Sequence, residues 1–431
     1  MRILWKQSPG RIIALGFASV IIIGSLILML PISVKDGVDL AYIDALYTAT
    51  SAICVTGLVA VDLFDTFTLF GQIVIALLIQ IGGLGVATLG AGILLAMGKR
   101  IGLKGRRLVQ ESLNLFSADG LVRLVKSVIK ISLTVELCGA VISFISFSQD
   151  YPFWRAVWTS IFHAVSAFNN SGYDVFGGGK NLILYQDDVI INLVTAGLII
   201  IGGIGFVVIR DLLKNKFRFS KLMFHSKVVI TMTAILLVSG TLLIKLTDRI
   251  PWLNAFLLST STRTAGFSTH NLSLFSNAGL YIMMILMFIG ASTGGTGGGI
   301  KTNTFFVLLQ GIKSAATNKD SKAFKYSISK ETFQKASIVT FLSIFVVFTG
   351  IYLISAFDPH LGFRDVSFEV FSAFGTVGLS TGITSGLSFA SKLVSILIMF
   401  TGRLGPLTIA SLWSFGLEER AHYPEGTIAI G

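Results

Sequence analysis

The sequence is short of charge, cysteine and histidine, and each shortage excludes something. Only 13% of its 431 residues are charged and 53% are hydrophobic, whereas soluble domains carry roughly 25% charged residues. With a mean hydropathy of +0.80, the chain cannot hide its apolar surface in one water-soluble core, and it reads as a polytopic membrane protein. Two cysteines, Cys54 and Cys138, lie in apolar surroundings and exclude a disulfide framework. Five histidines (His163, His225, His270, His360, His422) are scattered without metal-ligand spacing. The net charge of +12 sits in loops between apolar segments, so it speaks for membrane topology and not for nucleic-acid binding. Glycine, by contrast, is abundant at 45 residues, as in membrane helices.

Runs long enough to cross a bilayer, about 20 apolar residues, recur at 12–31, 69–97, 128–149, 189–209, 228–246, 278–311 (interrupted), 336–357 and 393–416. These are eight candidate spans. The first is longer than the roughly 7–15 residues of a signal-peptide core and no A-x-A site follows, so it reads as a retained span.

Between the members of each pair lies a shorter segment that ends in a recurring pattern. It appears as TSAICVTGL at 50–58, HAVSAFNNSGY at 163–173, LSTSTRTAGF at 258–267 and VFSAFGTVGL at 370–379. Aligned on Gly57, Gly172, Gly266 and Gly378, the four copies share a hydroxyl residue six positions before (Ser51, Ser166, Thr260, Ser372). A second glycine signature follows each: IGGLG at 81–85, IGGIG at 201–205, IGASTGG at 289–295 and TGRLG at 401–405. The expected unit is span, short re-entrant helix, glycine loop, span, with repeats at 1–100, 101–215, 216–320 and 321–431. The expected fold class is therefore an all-α polytopic membrane protein of four such repeats. Lys and Arg crowd the loops at 98–121, 210–227 and 312–335, which places both termini and these loops in the cytoplasm.

Irregular backbone at membrane depth survives only where it is buried in protein or lines a wet cavity. Four loops that converge on one axis could replace the hydration shell of a cation with carbonyl oxygens. The candidate ligands are Cys54, Val55, Thr56 and Gly57; Asn169, Asn170, Ser171 and Gly172; Arg263, Thr264, Ala265 and Gly266; and Gly375, Thr376, Val377 and Gly378. None is Asp or Glu, which favours a weakly hydrated monovalent cation over Ca²⁺ or Mg²⁺. The alternative is four packing glycines at helix crossings.

These motifs, with GRLGPLT at 402–408, resemble across nearly the whole chain the KtrB-type membrane subunits of the Trk/Ktr/HKT superfamily of K⁺ transporters. The resemblance implies a K⁺-channel-like pore of fourfold pseudo-symmetry in one chain, with K⁺ as transported ion and Na⁺ as a second candidate ion or activator. Gly57 matches the K⁺-permeable class of the family. The resemblance also implies a homodimer seated on a cytoplasmic KtrA-type ring that binds ATP or ADP, with the C-terminal tail EERAHYPEGTIAIG at the dimer interface. The basic loops are further candidates for contact with anionic membrane lipids.

The sixth span is broken by Gly290, Ala291, Ser292, Thr293, Gly294, Gly295, Thr296, Gly297, Gly298 and Gly299. So many glycines, each costing up to about 1 kcal/mol in a helix, force a loop or a glycine-rich packing face. By resemblance this loop obstructs the pore. Arg403 inside the eighth span is expensive there and should face a cavity or bond the loop carbonyls; Lys301 is placed to do the same. Glu136 is the candidate counter-charge.

Two other motifs fail on context. GASTG at 290–294 and GLSTG at 378–382 match G-x-S-x-G but follow no strand. GGTGGGIKT lacks the Gly-Lys pair of a phosphate loop. No catalytic constellation and no cofactor site remains, and a non-enzyme is expected. The competing function is an alternating-access cation symporter, which would need inverted twofold repeats.

Overall fold

The computed structural model describes residues 9–99, 101–112 and 120–412. Arg100, the end of the expected eighth span and the C-terminal tail lie outside the described residues.

One element order runs through the chain four times. The first unit is α1 (Pro9–Leu28), the short α2 (Tyr42–Ile53), a one-turn α3 (Leu63–Thr66), α4 (Leu69–Leu84) and α5 (Val86–Ala96). After the linking α6 (Leu103–Ser112), the second is α7 (Leu121–Asp150), α8 (Phe153–Phe168), α9 (Val189–Ile204) and α10 (Phe206–Lys214). The third is α11 (Phe224–Asp248), α12 (Trp252–Ser261), α13 (Asn277–Phe288) and α14 (Thr302–Thr317). A small antiparallel hairpin pairs Lys322 with Ser327 and leads into the fourth: α15 (Lys330–Phe357), α16 (Phe363–Gly375), α17 (Phe389–Leu404) and α18 (Pro406–Ser411).

The first helix of each unit, α1, α7, α11 or α15, is long and apolar enough to cross a membrane. These helices turn large apolar side chains outward; on α15, Phe341, Phe345, Phe348 and Tyr352 are each at least 61% exposed. Their spacing marks one stripe, the face a lipid-bathed helix presents. The short helices show the reverse pattern. In α2, Tyr47 through Ile53 are all buried, with Thr48, Thr50 and Ser51 among them. Small and hydroxyl side chains let these helices sit at the centre.

The second span of each pair departs from expectation. The break expected only in the sixth span occurs in all four. Helices α4 and α5 meet at 100° and α9 and α10 at 96°, at Gly85 and Gly205, while Gly405 separates α17 from α18. In each junction the glycine has φ between +82 and +95°, a conformation that ends a helix of L-residues. The 16 residues of α4, α9 and α17 therefore rise only about 24 Å, at 1.5 Å per residue, before the chain turns. The third unit replaces the single glycine with residues 289–301.

The start of each second helix is fixed by an N-cap. Thr68, Asp188, Ser276 and Ser388 accept from the backbone N–H three residues on, at 3.0–3.3 Å; each such cap stabilises by about 1 kcal/mol. The units close into a ring, because each second helix packs on the short helix of the next unit: α4 on α8, α9 on α12, α13 on α16, and α17 back on α2. Polar contacts bridge two of these seams. Trp158 donates to Gln72 Oε1 at 2.8 Å, and the Tyr47 hydroxyl meets Ser395 Oγ at 2.9 Å.

Candidate functional site

The short helices bring their C-terminal ends to one point, and the aligned glycines meet there. A Cβ built on Gly57 would strike the carbonyl oxygen of Ser171, and one on Gly172 would stand 2.6 Å from Ala265 O. One on Gly266 would strike Val377 O, and one on Gly378 would strike Thr56 O. Each glycine thus abuts the carbonyl of the residue just before the next glycine, and the fourth returns to the first. All four contacts fall under 3.0 Å, closer than a real Cβ tolerates, so only glycine permits the ring.

The backbone repeats its geometry around the ring. The four glycines have φ of +85, +76, +77 and +93°. The residues two before them, Val55, Asn170, Thr264 and Thr376, are also left-handed, at +56, +59, +78 and +49°. That conformation costs a non-glycine residue about 1–2 kcal/mol, and for β-branched Val and Thr it is a true outlier. In each loop the two left-handed residues are separated by one that is not. The loops are held by their own short helices. Thr56 N donates to Ser51 O, Ser171 N to Ser166 O and Val377 N to Ser372 O at 2.8–2.9 Å; the third loop shifts register, Ala265 N donating to Ser261 O at 2.8 Å. The hydroxyls six residues before the glycine do less than their recurrence suggests. Ser51 and Ser372 accept from the N–H of Gly57 and Gly378 at 2.9 and 3.0 Å, whereas Thr260 turns back to Phe256 O.

Not every candidate ligand presents its side chain to the ring. Arg263 is buried and reaches Thr233 on α11 at 3.5 Å, so only its backbone belongs to the loop. The Asn169 side chain turns outward, donating to Gln80 Oε1 at 2.8 Å and Glu136 Oε1 at 3.1 Å. This corrects the expectation for Glu136: it holds the second loop through Asn169, and among the described residues it forms no ion pair with Arg403 or Lys301.

The second glycine signature, whose role spacing could not reveal, supports the short helices from behind. Cβ atoms on Gly82, Gly202 and Gly402 would collide with the carbonyl oxygens of Ile53, Phe168 and Phe374, each four residues before a ring glycine. Backbone packs directly on backbone at these three places.

Directly beside the ring lies the loop at 289–301. Ile289 and Ile300 form a parallel bridge at its neck, and the Ser292 and Thr302 hydroxyls meet at 3.0 Å. Gly298 N donates to Thr376 Oγ1 at 2.9 Å, and a Cβ on Gly297 would strike Thr264 Oγ1. Two cations clamp the loop. Lys301 Nζ donates to Gly297 O and Gly298 O at 2.7 and 3.3 Å. The Arg403 guanidinium donates to Thr296 O, in the loop, and to Gly82 O and Gly83 O of α4. Among the described residues neither forms an ion pair; carbonyl dipoles carry both charges.

Two cavities flank this assembly. One, about 440 Å³, is lined by Gly266, Gly378, Asp174 and Ser380. The other, about 720 Å³, is lined by Gly297, Lys301, Arg403 and His225. The loop and Arg403 contribute only to the second.

The fold and ring define an all-α polytopic membrane protein with a central loop assembly. The chain belongs to the TrkH family of cation transport proteins, whose sequence profile matches residues 14–421; this is a transporter family and not an enzyme family. The chain is 40% identical to "Ktr system potassium uptake protein B" of Bacillus subtilis, over 100% of this chain and 98% of the relative. It is 35% identical to "Potassium/sodium uptake protein NtpJ" of Enterococcus hirae, over 100% and 99%. The crystal structure of the potassium transporter TrkH from Vibrio parahaemolyticus has the same fold, with a TM-score of 0.74 at 19% identity, covering 95% of this chain and 86% of that one.

Proposed function

We propose that this chain is a K⁺ uptake pore in which the glycine ring is the selectivity filter and the 290–299 loop, with Lys301 and Arg403, is the gate. The observation that carries this reading is the closed cycle of glycine-to-carbonyl contacts through Gly57, Gly172, Gly266 and Gly378. Carbonyls from the four loops would replace the water shell of a dehydrated monovalent ion, and the short helices would point their partly negative C-termini at it. The absence of carboxylates in the loop cores suits K⁺ better than a divalent ion. The polar Thr56 and Ser171 hydroxyls have no hydrogen-bond partner among the described residues and would add oxygen near the path.

In this reading the gate works by two means. The loop abuts the filter residues Thr264 and Thr376, and Arg403 sets a positive charge on the ion's route. Uptake would be driven by the membrane potential, with the basic loops and both termini in the cytoplasm and the smaller cavity opening outward. The names of the relatives favour K⁺, and NtpJ's adds Na⁺ as a second ion. The name of the Bacillus subtilis relative supports a place in a Ktr system; to that this reading adds a homodimer on a nucleotide-binding regulatory ring of the KtrA type, and repeats at 1–100, 101–215, 216–320 and 321–431. A fourfold cycle suits a pore better than the twofold inverted repeats of a rocking symporter.

The test is rescue of an uptake-deficient bacterium at low external K⁺, followed by K⁺, Rb⁺ and Na⁺ flux into proteoliposomes. Growth with saturable K⁺ and Rb⁺ uptake is the expected result. Failure of both, with the protein folded and in the membrane, would overturn the assignment.

A further inference from the structure

Behind the fourth loop sits a carboxylate at a short-helix position where the other three units have none. Nine residues before the ring glycine stand Thr48, His163 and Leu257 in the first three units, and Glu369 in the fourth. Glu369 lies on α16, is 0% exposed, and has no cation beside it among the described residues. Both its oxygens are used. Ser380 Oγ donates to Oε2 at 2.7 Å and Thr384 Oγ1 donates to Oε1 at 2.5 Å. Ser380 in turn accepts from Gly382 N at 2.9 Å.

These partners lie on the far side of the ring glycine from α16. Ser380, Gly382 and Thr384 line the smaller cavity, where the chain leaves Gly378. Helix α16 therefore grips the fourth loop twice: Ser372 holds the Gly378 amide at 3.0 Å, and Glu369 holds the segment beyond it. The second and third units also reach past their glycines, Arg155 donating to Phe176 O at 3.3 Å and Asn254 to Thr269 Oγ1 at 3.0 Å, but among the described residues only the fourth does so through a buried carboxylate. His163 bonds Thr195 on α9 instead, Leu257 cannot bond, and the Thr48 carbonyl accepts from Tyr173 of the next unit. Two hydrogen bonds to one buried carboxyl group brace the fourth quadrant, where the second and third have single contacts from Arg155 and Asn254.

We propose that Glu369 is a positioning residue that sets the ion preference of the ring, by bracing the segment 380–384 through Ser380 and Thr384. The proposal rests on reading the ring as the filter. A carbonyl ring rejects the smaller ion only if its oxygens do not close in on it. The Val377 carbonyl touches Gly266, and Gly378 touches the first loop, so slack in the fourth loop passes to two neighbours.

The test compares Glu369→Ala, the double variant Ser380→Ala with Thr384→Val, and the triple combination, all in the full chain in proteoliposomes. The readout is the ratio of half-saturation constants for K⁺, Rb⁺ and Na⁺ uptake. Glu369→Ala is expected to cut the K⁺-over-Na⁺ preference about tenfold; the double variant should match it and the triple should add nothing. Glu369→Gln, which keeps one carbonyl acceptor, should fall between. An unchanged ratio, with only the maximal rate lowered for every ion alike, would overturn the proposal, as would additive effects in the triple. If Glu369→Ala fails to fold, the double variant at the cavity wall carries the test by itself. Gly378→Ala separates the two levels. If it shifts the ratio while the Glu369 variants do not, the positioning role fails alone; if it too leaves the ratio unchanged, the filter reading fails.

Discussion

Arg403, near the end of α17, donates to the carbonyl oxygen of Thr296 and so ties the glycine loop of the third unit to the fourth. Its other nitrogen holds Gly82 O of α4 in the first unit. Arg403→Ala releases the loop from both and removes a positive charge from the larger cavity. Rubidium flux through the purified protein should rise several-fold. Arg403→Lys separates the two contributions, since an ammonium keeps the charge but cannot fork between the two carbonyls. Flux in the Lys variant near that of Ala identifies the tether as the barrier; flux near the parent identifies the charge. Parent-level flux in both variants would sink the gate assignment.

Gly57→Ser places a side chain where Ser171 O already sits, at a φ of +85°. Backbone strain of about 1–2 kcal/mol adds to the overlap. The expected outcome is K⁺ uptake with at least about tenfold weaker half-saturation and a smaller change for Na⁺, measured as growth and flux across a K⁺ series. Unaltered K⁺ affinity would mean that the ring does not hold the ion.

Gly402→Ala probes packing behind the ring. Its Cβ would collide with Phe374 O, so α17 must retreat from α16. Overpacking of this kind costs about 1–3 kcal/mol. The melting temperature in detergent should fall, with ion preference less affected than by Gly57→Ser. A melting curve that matches the parent's would show that the helices separate freely.

Asp44 and Lys392 join α2 to α17 at 2.6 Å, with side chains 17% and 10% exposed. Asp44→Ala leaves a buried ammonium unpaired, at a cost of about 3 kcal/mol. Replacing both residues with Leu should recover most of that loss. Equal destabilisation by the single and double variants, read by thermal unfolding, would contradict a desolvation cost.

Much of this was legible from residues alone. The four aligned glycines announced themselves because a ring of backbone contacts tolerates no Cβ, and that demand is written in residue identity. The mid-chain loop showed equally well, since Gly290 to Gly299 cannot hold a helix. Other features carried weaker marks. The N-caps Thr68, Asp188, Ser276 and Ser388 follow the ring glycines at unequal distances, 11, 16, 10 and 10 residues, which hid their equivalence. The breaks at Gly85, Gly205 and Gly405 sit within continuous apolar runs, where hydropathy sees only length.

Side-chain partners were legible only in part: the loop carbonyls were an expected partner of Arg403 and Lys301, and both bond them. Glu136 was the candidate counter-charge, yet it faces Asn169; nothing in the residues alone sets Glu369 apart. Sequence by itself determined the class of protein, the repeat and the positions where only glycine fits, because burial in lipid and the size of a hydrogen atom act residue by residue. Tertiary structure decided which carbonyl each glycine meets, what Arg403 holds and where the buried carboxylates point. Most of those depend on residues far apart in the chain, up to 321 positions for Arg403 and Gly82, brought together only when α17 packs on α2 and closes the circle.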